Sequence, residues 1–119
     1  MYIYNAKIIN IVDGDTIDLF IDLGFDIHHE IRLRLNGIDA PEIRTKDLEE
    51  KKLGLEAKEY IQKLCEKYNY KCTVKTIKDK KGKYGRYLGD IYFGDESLSL
   101  LLISEGYAKK YPIINNSVT

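Results

Sequence analysis

The 119-residue chain predicts a mainly-β domain of the α+β class: a five-stranded Greek-key barrel of the OB type, with one helix after the third strand and a short second helix. Three observations carry this. Apolar and polar residues alternate in successive runs before residue 37, apolar residues recur at helical spacing over 55–68, and two further strand-like runs precede a second short helical pattern. Three strands, a helix, two strands and a helix is the element order of that barrel.

The first strand is read in YIYNAKIINIV (2–12), the second in TIDLFIDLG (16–24) and the third in HHEIRLRLNG (28–37). Ile17, Leu19, Ile21 and Leu23 alternate with Asp18, Phe20 and Asp22, and Ile31, Leu33 and Leu35 alternate with Arg32, Arg34 and Asn36. Each strand therefore has one face for a core and one for solvent. Turn chemistry places the joins at Asp13-Gly14 and around Gly24 to Asp26. Residues 43–53 are charged and lack a sustained apolar period, which predicts a surface loop. Asp47 with Glu50 three residues later would cap an earlier helix start, but Gly54 argues against one continuous helix. The helix is predicted over 55–68, where Leu55, Ala57, Tyr60, Ile61, Leu64, Cys65 and Tyr68 recur. KCTVKTI and YLGDIYF supply the last two strands, joined by the lysine- and glycine-rich KDKKGKYGR. Leu98, Leu101 and Leu102 then form the apolar face of a helix stopped near Gly106, and KKYPIINNSVT reads as irregular. One domain, residues 1–119, is all that this length suggests.

Nineteen basic side chains balance nineteen acidic ones, so the total does not suggest a strongly basic nucleic-acid binder. The distribution is uneven: residues 1–62 carry 8 basic and 13 acidic side chains, residues 63–86 carry 9 and 2, and residues 87–119 carry 2 and 4. A basic block beside an acidic one suits a metal that faces a polyanion, and equally a solvated lysine-rich hairpin. Cys65 and Cys72 form no CxxC pair and the two histidines are adjacent, which argues against zinc. Two buried thiols are the simplest reading, with a disulfide between them left open. The N-terminus has no signal-peptide pattern and no stretch is long and apolar enough to span a bilayer. The expectation is a cytoplasmic protein that meets no membrane, or a secreted one if a leader was removed.

Asp13-Gly14-Asp15 superficially matches the start of a calcium-binding EF-hand loop. The match fails at the twelfth position, which is Gly24 rather than a bidentate glutamate, and the flanks are strands. Taken alone, the stretch is a DG turn. RLNGIDAPE (34–42) adds Arg34 on the third strand, Asp39 at its end and Glu42 after a proline that holds the preceding residue extended. Two carboxylates with a main-chain carbonyl suit Ca²⁺ or Mg²⁺, and a third carboxylate further out can orient or deprotonate water. KYGR (83–86) adds Arg86, a second guanidinium for a phosphate, beside Lys83 and Tyr84. Singly, each residue is an ordinary turn or hairpin-tip residue.

In this order, DGDT, R-x-x-x-x-D-x-P-E and KYGR resemble the staphylococcal nuclease (thermonuclease) family, over about residues 7–110, including LGLEAKEYIQKL as the helix after the active-site loop. The resemblance implies that Asp15, Asp39 and the Ala40 carbonyl bind Ca²⁺, that Arg34 and Arg86 bind phosphate and stabilise the transition state, and that Glu42 is the candidate general base. It implies phosphate contacts from Lys83 and Tyr84, and a DNA and/or RNA substrate cut at the 5′ P–O bond to leave 3′-phosphate products. Departures from the family pattern are Ala at position 40, where threonine is usual, the composition of 43–53, and a neutral rather than strongly basic chain. Tyr111 is the nearest counterpart of the family's substrate-facing tyrosines, out of register by one, and the ending PIINNSVT suggests that the family's third, C-terminal helix is missing. The expected function is a calcium-dependent nuclease with little sequence preference; the alternative is a non-catalytic OB-fold module that binds nucleic acid or protein. Retention of Asp15, Arg34, Asp39, Glu42 and Arg86 together favours the enzyme.

Overall fold

The computed structural model describes residues 2–81 and 86–112. Its main sheet closes on itself. Strand β1 (Tyr2–Asp13) pairs antiparallel with β2 (Thr16–Asp22) on one side and with β5 (Lys71–Lys81) on the other, and β2 pairs with β3 (His28–Leu35). Strand β6 (Tyr87–Phe93) runs antiparallel to β5 and parallel to β3, with Leu33 opposite Tyr87 and Leu35 opposite Gly89. That last pairing shuts the five-stranded barrel. Gly89 fits here because a Cβ at this position would run into the Lys75 carbonyl oxygen of β5.

The alternation seen in the sequence becomes the core. Ile17, Leu19, Ile21, Leu33, Leu35, Val74 and Ile91 point inward and are buried, while Asp18, Arg32 and Arg34 lie on the outer side. Each fully buried aliphatic side chain contributes roughly 1.5 to 3 kcal/mol relative to exposure. The turn between β2 and β3 uses left-handed backbone at Gly24, Phe25 and Asp26, as its glycine and aspartate suggest.

After β3, a two-residue strand β4 (Ile38–Asp39) leads to the loop that precedes helix α1 (Leu48–Lys67). The helix corrects two sequence expectations. It begins seven residues earlier than predicted, capped by Asp47, whose carboxylate accepts from the Glu49 and Glu50 amides, and it runs straight through Gly54. Its buried stripe is Gly54, Ala57, Ile61 and Cys65, and Leu55 is exposed. Left-handed backbone at Asn69 and Tyr70 then turns the chain into β5. Cys65 and Cys72 are free thiols, both buried, and burial pushes them up to about 11 and about 12 respectively.

Strand β7 (Glu96–Ser97) follows β6 and feeds helix α2 (Leu98–Ser104). Ser97 caps α2 through the Leu100 amide, and Asp90 of β6 accepts from the Ser97 and Ser99 hydroxyls, tying the helix to the barrel. Gly106, at φ +80°, ends it as predicted, and Tyr107 N–H returns to the Leu102 carbonyl at 2.8 Å. The chain after it is less irregular than expected. Strand β8 (Lys109–Lys110) pairs antiparallel with β4, Ile38 opposite Lys110 and Asp39 opposite Lys109, and Tyr111 N–H extends the ribbon to the Gly37 carbonyl. The expected absence of a C-terminal helix concerns residues 113–119, outside the described residues. Among the described residues no helix is long and apolar enough to cross a membrane.

Candidate active site

The turn between β1 and β2 sits directly on the chain that follows β3. A Cβ on Gly14 would lie 2.9 Å from the Ala40 Cβ and 3.1 Å from the Ala57 Cβ, so the missing side chain lets the turn, the post-strand segment and α1 meet. Small Ala40 is part of that fit. Asp15, next along, is buried, and every bond it makes holds it in place. Its Oδ2 accepts the Ala40 amide at 2.9 Å, its Oδ1 accepts the Thr16 hydroxyl at 3.0 Å, and its main-chain oxygen accepts the Leu35 amide at 2.8 Å.

Arg34 stands opposite Thr16 on the outer face of β3. One terminal nitrogen, Nη1, donates to the Leu35 carbonyl at 2.7 Å; the other, Nη2, lies 3.6 Å from Asp15 Oδ2 and 3.7 Å from Asp39 Oδ1. Two carboxylates, one from the β1–β2 turn and one from β4, therefore face one cationic group. Asp39 is exposed at the end of β4 and Ala40 is buried beside it.

Glu42 is exposed on the loop that follows Pro41. Its amide donates to Glu50 Oε2 at 3.2 Å and the next amide, that of Ile43, donates to Asp13 Oδ1 at 3.0 Å. Burial holds the Asp13 carboxyl above its ordinary range, with the Ile43 hydrogen bond acting the other way and the Asp15 charge adding to the rise. Beneath the loop lies Gly54, whose Cβ would meet the Pro41 carbonyl at 2.9 Å, Ile43 Cγ1 at 3.0 Å and the Glu42 carbonyl at 3.1 Å. Glycine inside α1 is thus a close-approach residue rather than a helix end.

Arg86, half-buried, precedes β6, whose register sets Leu88 beside Arg34. Tyr111 is exposed and bonds through its amide to Gly37, two ribbon positions from Asp39. Lys83 and Tyr84 lie outside the described residues. The structure thus brings Asp15, Arg34, Asp39 and Ala40 together, with Glu42 on the adjoining loop. A groove of about 640 Å³ opens from Asp39 past Glu49, Glu50 and Glu56 of α1 to Glu105 and Lys109. Sequence reasoning missed Glu50 and Gly54, and assigned Asp13 to the turn alone.

Among the described residues, no three Asp, Glu, His or Cys side chains converge as a metal cage. The candidate donors are instead two carboxylates, those of Asp15 and Asp39, which share one cationic neighbour, and the adjacent Ala40 carbonyl. These are hard oxygen donors, which suit Ca²⁺ or Mg²⁺ with water completing the shell and do not suit zinc. The residues present fit a hard divalent cation.

A family model described as staphylococcal nuclease homologue matches residues 32–119. The chain is 30% identical over 103 residues to the thermonuclease of Staphylococcus hyicus, covering 87% of the chain and 57% of that protein. It is 32% identical over 104 residues to the thermonuclease of Staphylococcus intermedius, covering 86% and 58%. It is also 32% identical over 114 residues to the endonuclease YhcR of Bacillus subtilis, covering 91% of the chain and 9% of that protein. The chain therefore spans under two thirds of each of these relatives.

Proposed function

The chain belongs to the staphylococcal nuclease family, and from that membership we propose that it hydrolyses phosphodiester bonds of DNA, RNA or both, with little sequence preference, in a calcium-dependent reaction that leaves 3′-phosphate ends. The observation that carries this reading is the meeting of Asp15 from the β1–β2 turn, Arg34 from β3 and Asp39 from β4, beside the loop that bears Glu42.

Asp15, Asp39 and the Ala40 carbonyl would hold the calcium, which when bound supplies positive charge against a phosphoryl oxygen. The remaining work belongs to this chain's own groups. Arg34 and Arg86 bind the phosphate and neutralise the charge that builds on phosphorus as water adds. Arg34 is preorganised for this because Leu35 fixes one of its nitrogens. Glu42 orients the water and takes its proton, and the water oxygen bonds to phosphorus as the bond to the 5′ oxygen breaks. That oxygen takes a proton from solvent and leaves as a hydroxyl, and the phosphate stays on the 3′ side. Lys83 and Tyr84 are assigned to neighbouring phosphates, and Tyr111 to a sugar or base.

Incubation of the purified chain with single-stranded DNA, with calcium and with excess chelator, tests the proposal. Fragments ending in 3′-phosphate are expected with calcium, and none with chelator. Retention of the DNA without calcium-dependent cleavage would instead identify a non-catalytic binding module.

A further inference from the structure

Two acidic residues next to the proposed site make a long-range contact in place of the local bond their position invites. An aspartate that opens a turn ordinarily accepts from its own backbone two residues on, yet Asp13 Oδ1 accepts from the Ile43 amide, thirty residues away. A glutamate three residues after a helix cap ordinarily reaches back to the cap residue's amide. Here the Asp47 amide is taken by the Thr45 hydroxyl at 3.2 Å, and Glu50 reaches past it to the amide of Glu42 itself. The two bonds fall on consecutive amides and come from two different elements, one from the end of β1 and one from the first turn of α1. Gly54 supplies the floor under Pro41, Glu42 and Ile43.

From these contacts we infer that Asp13 and Glu50 are positioning residues that clamp the two peptide units flanking Glu42, and so fix where the Glu42 carboxylate stands relative to Asp15, Asp39 and Arg34. The inference rests on the nuclease reading for its catalytic meaning, though the clamp itself is a matter of structure. Residues 40–47 carry no helix and Pro41 lacks an amide to anchor, so the loop's conformation depends on the few amides that are held. Both acceptors are carboxylates, which make stronger hydrogen bonds than neutral oxygens. A displacement of about 1 Å of a reacting group is enough to cost roughly a hundredfold in rate.

The test combines amide hydrogen exchange, read by NMR, with cleavage kinetics on single-stranded DNA in Asp13→Ala, Asp13→Asn, Glu50→Ala and Glu50→Gln. The alanine variants should speed exchange at Ile43 and at Glu42 respectively, and lower kcat by about tenfold to a hundredfold with KM and calcium affinity little changed. The amide variants keep an accepting oxygen and should restore most of both properties. Glu50 lies on the surface of α1, so its variants serve even where Asp13→Ala fails to fold. Unchanged exchange at the two amides in the alanine variants would overturn the inference. So would an Asp13→Asn variant as damaged as Asp13→Ala, since charge rather than the hydrogen bond would then be what matters. A wild-type chain that cuts nothing would sink the nuclease reading, while the exchange rates would still decide whether the clamp exists.

Discussion

Arg34 holds its place through one nitrogen and faces two carboxylates with the other, a division of labour that needs a planar fork. Lysine has a single nitrogen and cannot bond the Leu35 carbonyl while standing between Asp15 and Asp39. Arg34→Lys should therefore keep the charge and the fold yet lose a preorganised donor, lowering kcat by about a hundredfold to a thousandfold, or roughly 2.7 to 4 kcal/mol. Steady-state kinetics beside a thermal unfolding curve would check it, and a variant that kept most of its activity would refute the role. At this scale the residues that the fold gathers stand out in the sequence by type: acids flanking a glycine, an arginine on a strand, an aspartate just before a proline and a glutamate. Asp13 was misread in part because its partner is an amide thirty positions on, and an amide has no residue type to betray it. Glu50 was hidden differently, since Asp47 and Glu50 do look like a capping pair and only Thr45 diverts the second member.

Helix α1 shows why an element's bounds resist reading from propensity. Glycine costs a helix about 1 kcal/mol relative to alanine, which argued for a start after Gly54. That cost is outweighed by contact: α1 packs so close to the Pro41–Ile43 segment that only hydrogen fits at position 54. Gly54→Ala should consequently show no gain in thermal stability despite its better propensity, and cleavage should fall because the Glu42 loop is pushed aside. A higher unfolding midpoint with unchanged activity would refute the close approach. The ribbon of β4 and β8 escaped notice for another reason. Two residues on each side give no alternation to detect, so this pairing is created by the fold that brings the chain back after Gly106 rather than by any local pattern.

The barrel was the most readable level of all, because its inward residues alternate over long strands and a slip of one residue would turn every one of them to water. Closure also explains the two cysteines. Cys65 of α1 and Cys72 of β5 are buried in the common core, so their protonation depends on helix and barrel staying packed together. Burial raises the thiols from an ordinary 9.0 to about 11 and about 12, because apolar surroundings penalise the charged thiolate and not the neutral thiol. The unfolded chain ionises these groups near 9.0, whereas the folded chain holds their protons until about 11 and about 12. Stability from this source is therefore whole below pH 9.0 and lost as pH rises through the folded values. Urea unfolding measured from neutral to strongly alkaline pH should show the decline, and Cys65→Ala/Cys72→Ala, though less stable at neutral pH, should show a shallower one. Alkylation by iodoacetamide at pH 8 gives a second measure of the same state, since only the thiolate reacts and the native chain should present almost none. Rapid labelling of either cysteine in the folded protein at that pH would mean that α1 leaves the barrel far more readily than its packing indicates.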